Sequence, residues 1–436
     1  MGKLKPLIFF VVFVLVFTQI LPLRADPSAK VSHSILMQGF GWNSQSRGTP
    51  SKWYRLIESR AQNIKDLGAD FLWFPPVSRS VSPQGYLPGD YYDLGTADSP
   101  TFYGNQAELE RALKALNDAG VAPVADIVVN HRCASHQDNN GIWNIYDFSS
   151  NKAKWQQWAV CSGQFGGQGN PDTGDGFHAA PDIDHTNKTV RADIIEWMNW
   201  LKKLGFKAWR YDYSKGYASK YAGEYDINTK PLFSVGEYWT NMSYQGSNLN
   251  YNQDSHRQEL CNWLDNNPSE VACVFDFTTK GILQTAVKGD YGRLRDKEGK
   301  PSGLIGWWPS RAVTFLDNHD TGSQQSHWPF PDHEVMQGYA YILTHPGIPS
   351  VFWEHVYDWN LYKEIQNLIA TRKRNKINSG SKIEIIKAEN GLYAAIIDNK
   401  VAMKLGNKDW NPGPGYKLAA SGDKYAVWEK TTRTRK

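Results

Sequence analysis

The stretch SKWYRLIESRAQNIKDLGADFLWF, residues 51–74, decides the fold, because a helix, a stop and a buried strand follow one another in it. Apolar residues recur at helical spacing up to Leu67, and Gly68 then ends the helix. The apolar run 71–74, which Pro75 closes, is typical of a buried strand. The stretch therefore predicts a helix–glycine–strand unit. The apolar helix positions are Trp53, Leu56, Ile57, Ile64 and Leu67.

The same unit recurs twice further along the chain, with glycine stops at Gly120 and Gly205. Each stop separates an amphipathic helix from a short apolar strand. Helices that alternate with such strands indicate parallel strands, either in a doubly wound sheet or in a barrel. The predicted helix and strand pairs are 105–119 with 124–129 and 190–204 with 206–211.

Five more apolar runs are strand candidates and bring their number to eight, which is what a (β/α)8 barrel needs. No glycine-rich phosphate loop follows the first strand, and this weighs against a nucleotide-binding fold. We therefore predict an α/β chain built on a (β/α)8 TIM barrel. The additional candidates are Ile35–Phe40, Phe233–Val235, Val274–Phe277, Val313–Leu316 and Val351–Trp353.

Two regions depart from the barrel pattern. The connection 131–185 is rich in Gly, Asn, Asp and Ser and is too long for an ordinary loop, so we predict an irregular domain inserted after strand 3. After the barrel, one helix (361–374) and short alternating segments predict a C-terminal antiparallel β-domain. Its predicted strands are Ile383–Ile386, Tyr393–Ile397, Val401–Leu405 and Tyr425–Trp428. The expected division is a signal peptide at 1–25, the barrel at 26–130 and 186–358, the insert at 131–185 and the β-domain at 359–436.

The first 25 residues are typical of a secretory signal peptide. Lys3 and Lys5 precede the apolar run 7–17, and Ala25 is a small residue at the expected cleavage point; an uncleaved anchor is the alternative. No later segment approaches about 18 consecutive apolar residues, so we expect a secreted, extracellular protein without membrane contact after cleavage. The 48 basic and 44 acidic residues give a net charge of +4, which is too close to neutral to indicate nucleic acid binding.

Four cysteines are too few for a disulfide scaffold in a chain of 436 residues. No two of them form a CxxC motif, which argues against zinc. Four cysteines allow three pairings, and the sequence leaves the choice open. Our hypothesis for an exported protein is two local bridges, Cys133–Cys161 and Cys261–Cys273.

Three predicted strands end in a carboxylate, the fourth in Asp212, the fifth in Glu237 and the seventh in Asp320. Catalytic residues of such barrels lie at the carboxyl ends of the strands, so we expect the three side chains at one mouth. Paired carboxylates, one of them kept protonated, are what cleavage of a glycosidic bond needs. Helix capping or local ion pairing could explain any one of the three, but explains all three poorly. Arg210, His131 and His319 accompany them.

Five ordered segments resemble the signature of the alpha-amylase family, glycoside hydrolase family thirteen. They are DIVVNH (126–131), PDIDH (181–185), GFKAWRYDY (205–213), GEYW (236–239) and FLDNHD (315–320). Four further stretches look closest to the plant-type members: QGY (84–86), GNPDTG (169–174), IGWWP (305–309) and NHDTGS (318–323). The resemblance covers about residues 33–430, nearly the whole chain after the predicted signal peptide.

The resemblance implies a role for each carboxylate. Asp212 matches the nucleophile that forms a covalent glycosyl-enzyme intermediate, and Glu237 matches the general acid and base. Asp320 matches the third carboxylate, which stabilises the distorted sugar and its oxocarbenium-like transition state. Arg210 lies two residues before Asp212 and therefore on the same strand face, where its charge would lower the pKa of Asp212.

The resemblance also implies contacts with the sugar chain. His131 and His319 match histidines that hydrogen-bond the sugar beside the nucleophile, Tyr86 matches a ring that stacks on that sugar, and Lys215 matches a contact on the leaving-group side. Trp307 and Trp308 match a surface platform for starch granules. Adjacent strand residues point to opposite faces, so this platform requires an irregular backbone; core packing is the alternative.

A structural calcium ion is the implied cofactor. Its ligands would be Asn130, Asp172, Asp182 and the carbonyl oxygen of Gly216, which together tie the inserted domain to the barrel. Within 174–178, GDGFH, the acid stands one residue earlier than in the plant pattern, so the number of further calcium ions is open.

The expected activity is that of a secreted, endo-acting alpha-amylase. It would hydrolyse internal α-1,4 bonds of starch, glycogen and maltooligosaccharides with retention, as a monomer. A related transglycosylase or a maltooligosaccharide-forming amylase is one alternative, and a non-catalytic carbohydrate-binding protein is another.

Two tripeptides, Asn187-Lys188-Thr189 and Asn241-Met242-Ser243, fit the N-glycosylation sequon.

Overall fold

The structure is a computed structural model that describes residues 29–47, 52–149 and 154–431. The predicted signal peptide, 1–25, lies outside the described residues. A four-residue helix, Ala29–Ser32, leads into the first strand.

Eight parallel strands form a closed barrel, as the sequence predicted. Each strand pairs with its neighbours in chain order, and the last pairs with the first, where Leu36 lies opposite Ser350. All eight strand candidates are present, with ends shifted by a few residues. The strands are β1 (Leu36–Gln38), β2 (Phe71–Trp73), β3 (Ala122–Ile127), β4 (Ala208–Tyr211), β5 (Ser234–Gly236), β6 (Ala272–Phe275), β7 (Ala312–Thr314) and β8 (Ile348–Phe352).

Helices alternate with these strands. The glycine stops at Gly68 and Gly120 are confirmed: both have a left-handed backbone, with φ of 101° and 76°, and their N–H groups donate to carbonyls of the last helical turn. The helices are α1 (Trp53–Leu67), α2 (Gln106–Ala119), α3 (Lys188–Leu204), α4 (Ser219–Thr229), α5 (Asp254–Asp265), α6 (Phe277–Ala286), α7 (Val335–Thr344) and α8 (Tyr362–Arg374).

The irregular segment between β3 and α3 is attached to the barrel at its root. His131 forms an isolated β-bridge with Asp182, and the N–H of Arg132 donates to the Pro181 carbonyl at 3.1 Å. The guanidinium of Arg132 is buried, 3.9 Å from the centre of the Phe148 ring. Its described part includes a short antiparallel pair, His136–Gln137 with Trp143–Ile145. The N–H of Ile183 donates to the Asn130 carbonyl at 2.9 Å, and this bond joins the segment to the chain that leaves the carboxyl end of β3.

A five-stranded antiparallel sheet follows the barrel, as predicted. Four of its strands were predicted, and the fifth, Tyr416–Gly422, was missed because most of its side chains are exposed at the sheet edge and give no apolar alternation. In sheet order the strands are β9 (Ile383–Glu389), β10 (Leu392–Ile397), β11 (Val401–Leu405), β13 (Tyr425–Lys430) and β12 (Tyr416–Gly422).

The two hypothesised disulfides are not formed in the structure. All four cysteines are free thiols. Cys273 belongs to barrel strand β6, where its Sγ lies 3.9 Å from the Ser310 carbonyl oxygen, whereas Cys261 belongs to helix α5. In the described part of the chain, no helix has the length and apolar character needed to cross a membrane.

Candidate active site

A cleft of about 420 Å³ opens at the carboxyl ends of the barrel strands. It contains all three carboxylates that the sequence singled out, because β4, β5 and β7 all end at this mouth. The lining residues are Trp42, Tyr86, His131, Phe177, Asp212, Tyr213, Lys215, Glu237, Trp239, Asn241, His319, Asp320, Gln325 and His327.

One buried guanidinium connects the carboxylates at the bottom of this cleft. Arg210 Nη1 donates to Asp212 Oδ1 at 2.7 Å and to Asp126 Oδ1 at 2.8 Å. Its second terminal nitrogen lies 2.8 Å from Glu237 Oε2. The N–H of Tyr213 also donates to Glu237 Oε2, at 3.0 Å. Arg210 is fully buried, so the cluster places three carboxylates around one cation.

Asp126 is part of the cluster, although the sequence analysis did not single it out. It accepts hydrogen bonds from the Trp73 indole at 2.9 Å and from the Tyr86 hydroxyl at 2.8 Å, besides the one from Arg210. Asp126 begins the quoted segment DIVVNH, which drew attention to this strand. The sequence could not show that Asp126 lies beside an arginine 84 residues further along the chain. Asp126 therefore shares Arg210 Nη1 with Asp212 and anchors the hydroxyl of Tyr86.

Burial controls the charge of this cluster. Burial raises the pKa of Asp212 well above its usual range, against the opposing pull of Arg210, and the charges of Glu237 and Asp126 add to the rise. The lowering that the sequence predicted from the charge of Arg210 is present, but burial and the neighbouring carboxylates outweigh it, so the net shift of the Asp212 pKa is upward.

Asp320 lies on the loop after β7 and faces the same cleft. Gln325 Nε2 donates to its Oδ1 at 3.1 Å, and His319 Nε2 lies 3.3 Å from its Oδ2. Burial, together with the charge of Glu237, raises the pKa of Asp320 to about 7. A carboxyl with this pKa can carry a proton near neutral pH.

The pKa of Asp320 predicts a specific dependence of stability on pH. An unfolded aspartate titrates near about 4, so between about pH 4 and 7 the folded chain binds more protons than the unfolded chain, and the free energy of unfolding falls as pH rises. In Asp320→Asn the side chain is neutral at every pH, so this contribution to the pH dependence of unfolding is lost. We expect the stability of the variant relative to wild type to rise across this window by up to about 1.4 kcal/mol per pH unit. Urea unfolding at a series of pH values tests this, and parallel curves for the two proteins would contradict it.

Aromatic rings and histidines form the walls of the cleft. The rings of Tyr86 and His319 are stacked with centroids 4.8 Å apart, and the Trp42 ring is nearly parallel to His319 with centroids 6.2 Å apart. His131 stacks on Phe177 at 3.7 Å and lies with Nε2 2.8 Å from the Tyr86 carbonyl oxygen. Burial lowers the pKa of His131 to about 4 and that of His319 well below its usual range, so both imidazoles are neutral near pH 7.

The predicted leaving-side residue Lys215 lines the same cleft. Its ammonium lies 5.2 Å from the centre of the Tyr213 ring and 3.6 Å from Asp175 Oδ2. Several further cleft residues were not predicted from the sequence, among them Trp42, Phe177, Trp239 and Gln325. They lie on loops after different strands, and isolated aromatic or amide residues in loops carry no sequence signal for a cleft.

The four predicted calcium ligands lie together at the root of the inserted segment. Asn130 Nδ2 donates to Asp182 Oδ1 at 2.9 Å, while Asn130 Oδ1 and Asp172 Oδ2 are buried without a hydrogen-bond partner. Gly216 approaches Asn130 so closely that a Cβ at this position would lie 2.1 Å from Asn130 Oδ1. Burial and the charge of Asp182 raise the pKa of Asp172 to about 6.

This arrangement fits a hard cation. Two adjacent carboxylates that repel each other and two oxygens without hydrogen-bond partners are what a bound calcium ion would satisfy. In the described ranges no group of three or more His, Cys, Asp or Glu side chains is arranged to hold a metal, so amide and carbonyl oxygens would have to contribute.

Trp307 and Trp308 lie outside the cleft, between two short 3-10 turns, Leu304–Gly306 and Pro309–Arg311. Trp307 is 37% exposed and stacks on the Arg257 guanidinium at 3.9 Å, whereas Trp308 is half-buried and packs against the core. The backbone is irregular, as a platform requires. Starch binding at this pair stays a prediction.

A (β/α)8 barrel with several carboxylates, an arginine and neutral histidines at its carboxyl mouth defines a carbohydrate-cleaving hydrolase. The family model described as "Alpha amylase, catalytic domain" matches residues 55–351, and "Alpha-amylase C-terminal beta-sheet domain" matches 374–429. The chain belongs to the alpha-amylase family and is a glycoside hydrolase.

Plant proteins are among its similar relatives. "Probable alpha-amylase 2" of Arabidopsis thaliana is 48% identical over 400 residues, which are 91% of this chain and 94% of that protein. "Alpha-amylase 3, chloroplastic" of the same plant is 44% identical over 94% of this chain, but the match spans 46% of that longer protein. A solved alpha-amylase from Malbranchea cinnamomea aligns over 93% of this chain and 98% of its own, with a TM-score of 0.63 and 16% identity, and supports the fold alone.

Proposed function

We propose that this protein is a secreted, endo-acting alpha-amylase that hydrolyses internal α-1,4 bonds of starch, glycogen and maltooligosaccharides with retention of configuration. One observation carries the proposal. The Arg210 guanidinium forms ion pairs with both Asp212 and Glu237 at the bottom of one open cleft. One guanidinium holds the two carboxyls close together, which suits direct attack by one of them more than the wider gap that inversion requires.

In the proposed reaction, Asp212 attacks the anomeric carbon while Glu237 gives its proton to the leaving glycosidic oxygen. The carbon–oxygen bond to the leaving chain breaks as an ester bond to Asp212 forms. Glu237, now a carboxylate, takes a proton from water, whose oxygen attacks the same carbon and releases Asp212. We expect the two carboxyl groups to lie about 5–5.5 Å apart in a substrate complex.

The surrounding residues position the sugar in this proposal. Asp320 and the neutral imidazoles of His319 and His131 hydrogen-bond the hydroxyls of the sugar beside Asp212, and Tyr86 stacks on its ring. Lys215 contacts the sugar on the leaving side. The carboxylates of Asp126, Asp212 and Glu237 outnumber the single buried cation Arg210, which favours retention of a proton in the resting cluster.

A calcium ion held by Asn130, Asp172, Asp182 and the carbonyl of Gly216 is part of the proposal, and its role is structural. It would neutralise the paired carboxylates and fix the inserted segment, taken as 131–185, against the barrel at 26–130 and 186–358. The C-terminal β-domain is taken as 359–436. Export after cleavage near Ala25 and a monomeric state complete the proposal.

The products formed from soluble starch in the first minutes test the reaction. We expect fresh α-anomers in a spread of short maltooligosaccharides, because retention follows from double displacement and the spread from internal cleavage. Proton NMR of the anomeric signals measures both. Fresh β-anomers would contradict retention, and larger or cyclic products would indicate a transglycosylase. Bound but uncleaved starch would indicate a binding protein.

A further inference from the structure

The segment that continues from the acid residue Glu237 forms part of the cleft rim. Residues 237–243 have no regular secondary structure, and Trp239 and Asn241 both line the cleft. Asn241 is exposed, and it stands four residues after Glu237 on the same strand-end loop. Because Glu237 faces the leaving oxygen in the proposed reaction, we take the rim at Trp239 and Asn241 as the leaving side of the cleft.

Asn241 begins the tripeptide Asn241-Met242-Ser243, and the structure orients this tripeptide favourably for modification. Met242 is buried, with its Sδ close to Gly281, while Asn241 and Ser243 are both exposed. The Asn241 carboxamide makes no hydrogen bond with the part of the chain that the structure describes. A group attached to its Nδ2 would therefore project into solvent at the cleft rim without displacing an internal contact.

The second tripeptide of this kind differs in its surroundings. Asn187 is the N-cap of α3, where its side-chain oxygen accepts from the Thr189 N–H at 2.9 Å. Its carboxamide therefore has a structural role, and Asn187 does not line the cleft. A modification at Asn187 would leave the entry of substrate unaffected, which makes this position an internal comparison for Asn241.

We propose that Asn241 carries an N-linked glycan, which narrows the leaving side of the cleft and biases the enzyme towards short chains. The donor is an oligosaccharide carried on a polyprenyl pyrophosphate. Asn241 Nδ2 bonds to the anomeric carbon of this oligosaccharide and loses one proton, while the bond from that carbon to the pyrophosphate oxygen breaks and the lipid pyrophosphate leaves. The inference rests on the secretory route of the proposed function, because the donor is found in that compartment.

A glycan at this position acts on long and short substrates differently. A polymer that is cut internally must extend out of the cleft past the rim at Trp239 and Asn241, where it meets the hydrated glycan. A maltotrioside with a single nitrophenol as its leaving group ends before that point. The glycan therefore lowers kcat/KM for the polymer and leaves kcat/KM for the small substrate unchanged.

The test compares Ser243→Ala, which destroys the sequon, with Ser243→Thr, which keeps it; both leave Asn241 in place. Each protein is produced with its own N-terminal segment in a eukaryotic secretory host. Peptide mass spectrometry before and after glycosidase treatment locates the glycan, with Asn187→Gln to assign the other site. We expect Asn241 to be modified in wild type and Ser243→Thr and unmodified in Ser243→Ala. The starch-to-maltotrioside ratio of kcat/KM should rise about threefold or more in Ser243→Ala alone, because only polymer access changes.

Ser243→Ala also loses the hydrogen bond that Ser243 Oγ accepts from Asn250 Nδ2 at 2.6 Å. Enzymatic removal of the glycan from the wild-type protein avoids this loss and should raise the same ratio. An unmodified Asn241 in protein recovered from the medium overturns the inference, and so does an unchanged ratio after the glycan is removed. Absence from the medium, or inactivity on both substrates, would instead contradict the proposed function, so the two failures are distinguishable.

Discussion

Asp212→Asn is expected to abolish turnover while the protein still binds starch. The amide cannot form the ester intermediate, but it keeps the shape of the side chain and can still face Arg210, which lies 2.7 Å from the native carboxylate. We expect kcat to fall by about 10⁴-fold or more, because the variant lacks the group that attacks the anomeric carbon. Release of reducing ends from soluble starch measures the rate, and affinity electrophoresis in starch gels measures binding.

Asp226→Asn is the matched control for this substitution. Asp226 is also a fully buried aspartate, but it lies on α4, where it accepts from the Tyr211 hydroxyl at 2.8 Å and from Ser234 Oγ at 2.6 Å. The same chemical change at this position should affect stability and leave kcat per folded molecule near that of wild type. Activity of Asp212→Asn near the wild-type value would rule out Asp212 as the nucleophile.

Prolonged dialysis against a calcium chelator is expected to lower the melting temperature by about 10 °C. An ion present at a thousandfold excess over its dissociation constant stabilises the folded state by about 4 kcal/mol. Each kcal/mol shifts the melting temperature of a large domain by about 2–4 °C. The physical cause is the pair Asp172 and Asp182, whose mutual repulsion the ion would cancel. Thermal unfolding followed by circular dichroism measures the shift, and added calcium should restore it.

Two variants assign this response to the proposed ligands. Asp172→Asn should melt at the same temperature with and without chelator, because it has lost a charged ligand. Asp184→Asn lies in the same segment, but its carboxylate already accepts from Asn170 and Thr186, and it should stay as sensitive to chelator as wild type. If Asp172→Asn stayed sensitive to the chelator, the stabilising ion would have to bind at another site.

The fold could be predicted wherever the chain alternates between one-sided helices and short apolar strands. The glycine stops at Gly68 and Gly120 marked the helix ends. Both residues adopt the left-handed backbone conformation that closes a helix, and glycine adopts it without steric strain. Helices α4 to α7 were not predicted from the sequence. Two of them, α6 and α7, are buried on almost every side, so no polar face reveals the helical period.

The positions of the three carboxylates could be predicted from the sequence, but their pKa values could not. The strand-end positions of Asp212, Glu237 and Asp320 are local, and the sequence placed them at one mouth correctly. The raised pKa of Asp212 depends on burial and on Asp126, which belongs to another strand. The balance between burial and charge is a property of the assembled barrel, so the sequence could indicate the lowering by Arg210 but not the larger rise that opposes it.

Closure of the barrel by β1 and β8 has a consequence for how the chain is made. The residues that pair there, such as Met37 and Val351, are about 300 positions apart, and contacts of such separation form slowly. During synthesis β1 emerges early and keeps an unpaired edge until nearly the whole barrel has left the ribosome. Throughout that interval the nascent chain is open to strand addition from other molecules. The yield of correctly assembled enzyme should therefore depend on chaperones and on the speed of translation.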